Sequence, residues 1–109
     1  MAYDQRLADE IRARVGRHPD LIEKQMFGGI AFMIGGNMAV RVSGDELMVR
    51  VGKEAHDEAE AKPGARIFDL FARPMRGWVV VAPEGFATDG DLENWIQQGV
   101  SYAKTLPRK

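Results

Sequence analysis

Residues 26 to 51 read MFGGIAFMIGGNMAVRVSGDELMVRV, apolar and β-prone almost throughout and cut at intervals by glycine. Runs of four to eight such residues between Gly-, Asn- and Asp-bearing breaks are short strands joined by tight turns. A meander of this kind must lay at least one face on another layer. With Gly35-Gly36 as a two-residue turn, in which glycine supplies positive φ, Ile34 faces Asn37, Phe32 faces Ala39 and Ala31 faces Val40. If Ser43 to Glu46 turn the chain again, Val42 faces Leu47, Val40 faces Val49 and Met38 faces Val51. Side chains alternate with period two. One face is therefore expected to collect Ala31, Met33, Met38, Val40, Val42, Leu47, Val49 and Val51 as a core. The other carries Ile30, Phe32, Ile34, Ala39, Arg41, Met48 and Arg50, a mixed surface only partly suited to water.

Helices are available to cover the core face. Leu7, Ala8, Ile11 and Val15 recur at spacings of three and four, with Asp4 placed as N-cap and Gly16 and Pro19 closing the segment. A second, short helix spans Lys53 to Ala61 with Ala55 and Ala59 inward, and Lys62-Pro63-Gly64 stops it. Arg66 to Phe71 and Trp78 to Val81 alternate as two further strands around an expected turn at Arg73 to Gly77. Thr88 and Asp91 form a capping box ahead of a last helix with Leu92, Trp95, Ile96, Gly99, Ala103 and Leu106 on one stripe. The fold class is α+β, an antiparallel sheet of about five strands with helices in the order α-βββ-α-ββ-α. At 109 residues, without linkers or repeats, residues 1–109 are one domain.

Most chemistries are excluded by what is missing. There is no cysteine, hence no disulfide, thiolate metal site or thiol nucleophile. Gly36 is followed by Asn37-Met38 where a phosphate-binding loop needs Lys and then Ser or Thr, and no helix follows the glycines as a dinucleotide fingerprint requires. The second glycine pair is turn punctuation. The first, Gly28-Gly29 after Phe27, bends a strand, makes a bulge, or lets a ligand or another chain approach the backbone. His56 and Glu60 stand one turn apart, but no third or fourth ligand accompanies them, and a solvated helix face is the expectation. His18 precedes Pro19 at a helix end. Ser43 and Ser101 lack a nucleophile elbow, and no acid–base carboxylate pair stands out. No catalytic residue, metal site or cofactor is expected. Fifteen Lys and Arg against sixteen Asp and Glu leave no global field for nucleic acid. With no membrane-spanning run and no signal-peptide pattern, a cytoplasmic location is expected.

Three features suit binding. Arg41 and Arg50 lie diagonally on the mixed sheet face beside Met48 and Phe32, placed to meet an anion or to snorkel beside a helix. "ARPMRGW", residues 72 to 78, gathers Arg73, Arg76, Met75 and Trp78, an interface mixture. Met26, Met33, Met38 and Met48 cluster around the hairpins, where methionine fills gaps or adaptable surfaces.

The ordered series KQMFGGIAFMIGGNMAVRV, LMVRVG, KPGARIFDLFARPMRGWVVVAPEG and a closing amphipathic helix with Trp95 resembles the N-terminal domain of the TfoX/Sxy family from about Leu7 to Ala103. Met26-Phe27-Gly28-Gly29 is its most recognisable element. The resemblance implies a two-layer α+β fold similar to type III secretion chaperones. Its best-known members regulate bacterial competence as coactivators with the cyclic-AMP receptor protein. They carry a second, helical domain, so a stand-alone copy of the N-terminal domain is expected here. It brings no catalytic residues. The expected function is a non-catalytic regulatory or protein-binding module, self-associating as a homodimer through its partly apolar sheet face or an edge strand. The alternative is a small-molecule or anion binder using the sheet-face and turn arginines. The candidate binding residues are Phe27, Gly28, Gly29, Arg41, Arg50, Arg73, Arg76 and Trp78. Direct nucleic-acid binding is the least expected.

Overall fold

A computed structural model describes residues 3–26, 28–70 and 73–108. Its elements are α1 (Gln5–Val15), β1 (Leu21–Met26), β2 (Gly29–Ile34), β3 (Asn37–Ser43), β4 (Glu46–Arg50), α2 (His56–Glu60), β5 (Ala65–Leu70), β6 (Arg73–Val81), a 3₁₀ turn (Pro83–Phe86) and α3 (Asp89–Lys104). The strands form one antiparallel sheet in the order β1-β2-β3-β4-β6-β5. The fold is α+β, with one strand more than the sequence pattern suggested. That strand, β1, reads LIEKQM and is half-buried or exposed along its length, so no apolar run announces it. Its hairpin partner β2 does so instead.

The Gly35-Gly36 turn forms as expected, with Ile34 opposite Asn37 and φ of 60° and 85° at the two glycines. Positive φ at both central residues matches the twist of the flanking strands. Two residues further on, the expected register fails. Phe32 pairs with Val40 and not with Ala39, because a bulge lets Ala39 and Val40 share one partner. A one-residue shift exchanges a strand's faces. The core face therefore holds Ile30, Phe32 and Ile34 of β2 with Val40 and Val42 of β3, Leu47 and Val49 of β4, and Val79 and Val81 of β6, all buried. Placing Ile30, Phe32, Ile34 and Ala39 opposite the core, and Ala31, Met33 and Met38 within it, was wrong for this reason.

The helices join that one core. Asp4 caps α1, its carboxylate accepting from the amides of Arg6 and Leu7, and α1 buries Leu7, Ala8, Ile11 and Val15. Thr88 caps α3 by accepting from the Asp91 amide at 3.1 Å. The α3 stripe buries Leu92, Trp95, Ile96, Gly99, Val100 and Ala103, and the Trp95 indole donates to the Gly85 carbonyl at 3.1 Å. Each large side chain sealed this way contributes about 1.5–3 kcal/mol. Where the bulge crosses α3, an added Cβ on Gly99 would stand 2.5 Å from the Ala39 carbonyl oxygen. Glycine there lets the helix seat on the bulged backbone.

The second half departs from expectation at β6. Arg73 to Gly77 are strand residues and not a turn, with Leu70 opposite Arg73; Phe71 and Ala72 lie outside the described residues. The bend at Gly77 (φ 99°) is a hub. Its carbonyl accepts from the amides of Val51 and Gly52, and its amide donates to His56 Nδ1 at 2.9 Å. His56 is 0 % exposed, and its Nε2 lies 2.9 Å from Glu60 Oε1. The solvated histidine of the sequence reading is instead a buried pin between α2 and β6. Its Nδ1 is the acceptor for the Gly77 amide, so the proton sits on Nε2 and points at Glu60.

Candidate functional site

The face of the sheet opposite the helices is where the binding candidates fall. Register places Met33, Met38, Arg41, Met48, Arg50, Trp78, Val80 and Arg66 on that side. Aromatic, methionine and arginine side chains are the mixture enriched at protein interfaces. Ile22 of β1, opposite Met33, extends the surface to the sheet edge and is 59 % exposed. The bulge creates this composition. By turning Phe32 and both flanking isoleucines inward, it leaves methionine and arginine outside.

Arg41 explains the first glycine pair. Its Nη2 donates to the Met26 carbonyl at 2.9 Å, where Met26 pairs with Gly29. Gly28 has φ 75°. A Cβ on Gly29 would lie 2.9 Å from Arg41 Nη2 and 2.4 Å from the Val42 carbonyl oxygen. The close approach that Gly29 permits is thus made by the chain's own arginine. Phe27, the remaining residue of that motif, lies outside the described residues.

Arg50 and Trp78 are brought together as a cross-strand pair, with the guanidinium carbon 4.8 Å from the Trp78 ring centroid. Tyr102 of α3 lies on the other flank at 5.8 Å, so Arg50, the last residue of β4, stands at the rim where the open face meets α3. Tyr102 is itself placed by Gly52, where a Cβ would meet the ring at 2.4 Å. Cation–π pairs of this kind contribute about 0.5–1 kcal/mol in exposed settings and fix where the charge stands. Arg76 is occupied elsewhere, in an ion pair with Asp57 of α2 at 2.9 Å that holds the Asp57 carboxyl below its usual range. Arg73 is exposed at the start of β6. The arginines therefore fall into separate settings rather than one cluster.

Sequence reasoning missed the side of this face that lies over β5. Arg66 donates to both carboxylate oxygens of Glu46 at 2.9 and 2.8 Å, and this hydrogen-bonded pair holds Glu46 below the usual glutamate range. Beside it opens a shallow cleft of about 320 Å³, lined by Arg41, Ser43, Glu46, Met48, Arg66, Ile67, Phe68, Asp69 and Val80. The alternation of Arg66 and Phe68 was visible in the sequence, but which side of the sheet it faced was not. Among the described residues, no three His, Cys, Asp or Glu side chains gather as a metal site. Nor is any described helix long and apolar enough to cross a membrane.

Comparison with known proteins gives one match. The family model described as the TfoX N-terminal domain matches residues 13–103. No curated protein and no solved structure matches the chain.

Proposed function

The chain belongs to the TfoX N-terminal domain family, and from that premise we propose that it is a non-catalytic, cytoplasmic protein-binding module serving regulation, with the helix-free sheet face as its binding surface. The observation that carries this reading is the composition of that face. Met33, Met38 and Trp78 are half-buried on that face, Met48 is 7 % exposed and Ile22 at the β1 edge is 59 % exposed, interleaved with Arg41 and Arg50, whose positions are set by a backbone carbonyl and by aromatic rings. Apolar side chains left partly uncovered together on one face suit an interaction site. Methionine adapts to a partner's shape, while the arginines select carboxylates at its margin. A link to transcriptional or competence regulation follows from family membership alone.

The test is site-specific photocrosslinking in producing cells, with a benzophenone amino acid replacing Met33 on the open face or Gln97 on the exposed side of α3. Discrete protein adducts from position 33 and none from position 97 support the reading. Adducts from both positions alike would sink it. The anion-binding alternative gains if position 33 yields no adduct and the purified protein takes up a small carboxylate or phosphate in a manner abolished by Arg41→Ala.

A further inference from the structure

The sheet has two free edges, β1 and β5, and they differ at their centres. Two identical antiparallel strands that extend one sheet are related by a two-fold axis perpendicular to it, so each residue meets one from its own side of the sheet. The residue at the axis therefore meets its own copy. In β1 the two central residues are Glu23 and Lys24, and either register sets like charge against like charge. Such charges are how exposed edges avoid pairing. In β5 the corresponding residues are Ile67 and Phe68, both half-buried in the single chain.

We propose that the protein self-associates through β5, a second copy extending the sheet to twelve strands about a two-fold axis at Ile67. In that register Ile67 packs on Ile67 of the second copy, and Asp69 meets Ala65. Arg66 then faces Phe68 of the second copy, twice over. Directly opposed residues stand about 4.5–5.5 Å apart at Cβ, within reach of a guanidinium–ring contact. Glu46 already holds the Arg66 guanidinium by a bidentate pair, so little side-chain freedom is lost in making that contact. The Phe68-centred register instead sets Ile67 against the Asp69 carboxylate and forms neither the Ile67–Ile67 nor the Arg66–Phe68 contact. The backbone groups of the edge supply the remaining hydrogen bonds, as in strand addition generally. This geometry also sets the two open faces side by side on one surface, whatever those faces bind.

The experiment uses the whole chain and measures mass by light scattering, then thiol cross-linking. The protein has no cysteine, so one introduced thiol reports one position. The expected mass is near twice 12.1 kDa for the native sequence. Ile67→Lys, which places two ammonium groups at the axis, should halve that mass while leaving the far-ultraviolet dichroism unchanged. Ile67→Cys should cross-link to a dimer through a short thiol-reactive linker, and Ile22→Cys on β1 should not. If Ile67→Lys proves unfolded, the cross-linking pair decides alone. A native chain that remains monomeric at about 1 mM overturns the proposal. So does a dimer that cross-links through Ile22→Cys, or through Met33→Cys on the open face, in preference to Ile67→Cys.

Discussion

Substituting Gly99 by alanine tests how α3 meets the bulge. In an ordinary helix interior the change stabilises by up to about 1 kcal/mol, because alanine loses less backbone entropy than glycine. Here the new Cβ would stand 2.5 Å from the Ala39 carbonyl oxygen and 2.8 Å from Val40 Cγ1. Contacts of this type rest near 3.5–4.0 Å, so α3 must retreat by roughly 0.5–1 Å. The oxygen belongs to sheet backbone and cannot swing aside. Overpacking of a sealed core costs about 1–3 kcal/mol, and set against the propensity gain the net loss is about 1–2 kcal/mol. Gly90, in the first turn of the same helix, is the control: its Cβ would meet only Thr88 Oγ1 at 4.0 Å, so Gly90→Ala is neutral or stabilising. Urea unfolding followed by tryptophan fluorescence reads both. With a slope of about 1–3 kcal/mol per molar, the Gly99→Ala midpoint should fall by about 0.5–1 M while that of Gly90→Ala holds or rises. If both midpoints move upward together, α3 does not rest on the β3 backbone at the bulge, and the face assignment built on that bulge falls with it.

Phe32→Ala should cost about 3–5 kcal/mol and the neighbouring Met33→Ala clearly less, since Phe32 is 1 % exposed beneath the helices and Met33 lies on the open side; equal losses in urea titrations would restore the unbulged register. His56→Phe removes the acceptor of the buried Gly77 amide and should lower stability by about 1–3 kcal/mol, read by thermal unfolding. Glu23, bonded by Arg12, and Glu46, bonded by Arg66, titrate below the usual 4.5 in the folded chain, so their contribution is complete above that value and is lost as pH falls below it. Both pairs are partly solvated, so each contributes at most about 1 kcal/mol, and Glu46→Gln should flatten the acid limb of a stability–pH curve; an unchanged limb contradicts the pairing. Against duplex DNA near physiological salt, titration should reveal no complex tighter than about 1 µM, and tight binding with a steep salt slope would reverse the ranking of partners.

Local chemistry was enough to specify much of this protein. The Gly35-Gly36 turn, the caps at Asp4 and Thr88, and the buried stripes of α1 and α3 were all readable, because each depends on residues a few positions apart. The placement of Arg41, Arg50 and Met48 together on one face was readable too, since β3 and β4 pair without interruption beyond the bulge. The exchange of faces in β2 was not. Whether Phe32 opposes Ala39 or Val40 turns on one extra residue, and nothing in either strand marks it; α3, sixty residues on, offers Gly99 where the bulged backbone needs room. The polar side chains of edge strand β1, which make sense only against β2, hid that strand, and distance in sequence hid the role of His56, which depends on the Gly77 amide. Gly29 was legible as a place of close approach but not as to what approaches, because the Arg41 side chain arrives there only once β2 and β3 are paired. Periodicity fixes which residues of a segment share a side; only pairing between segments decides which side is inside.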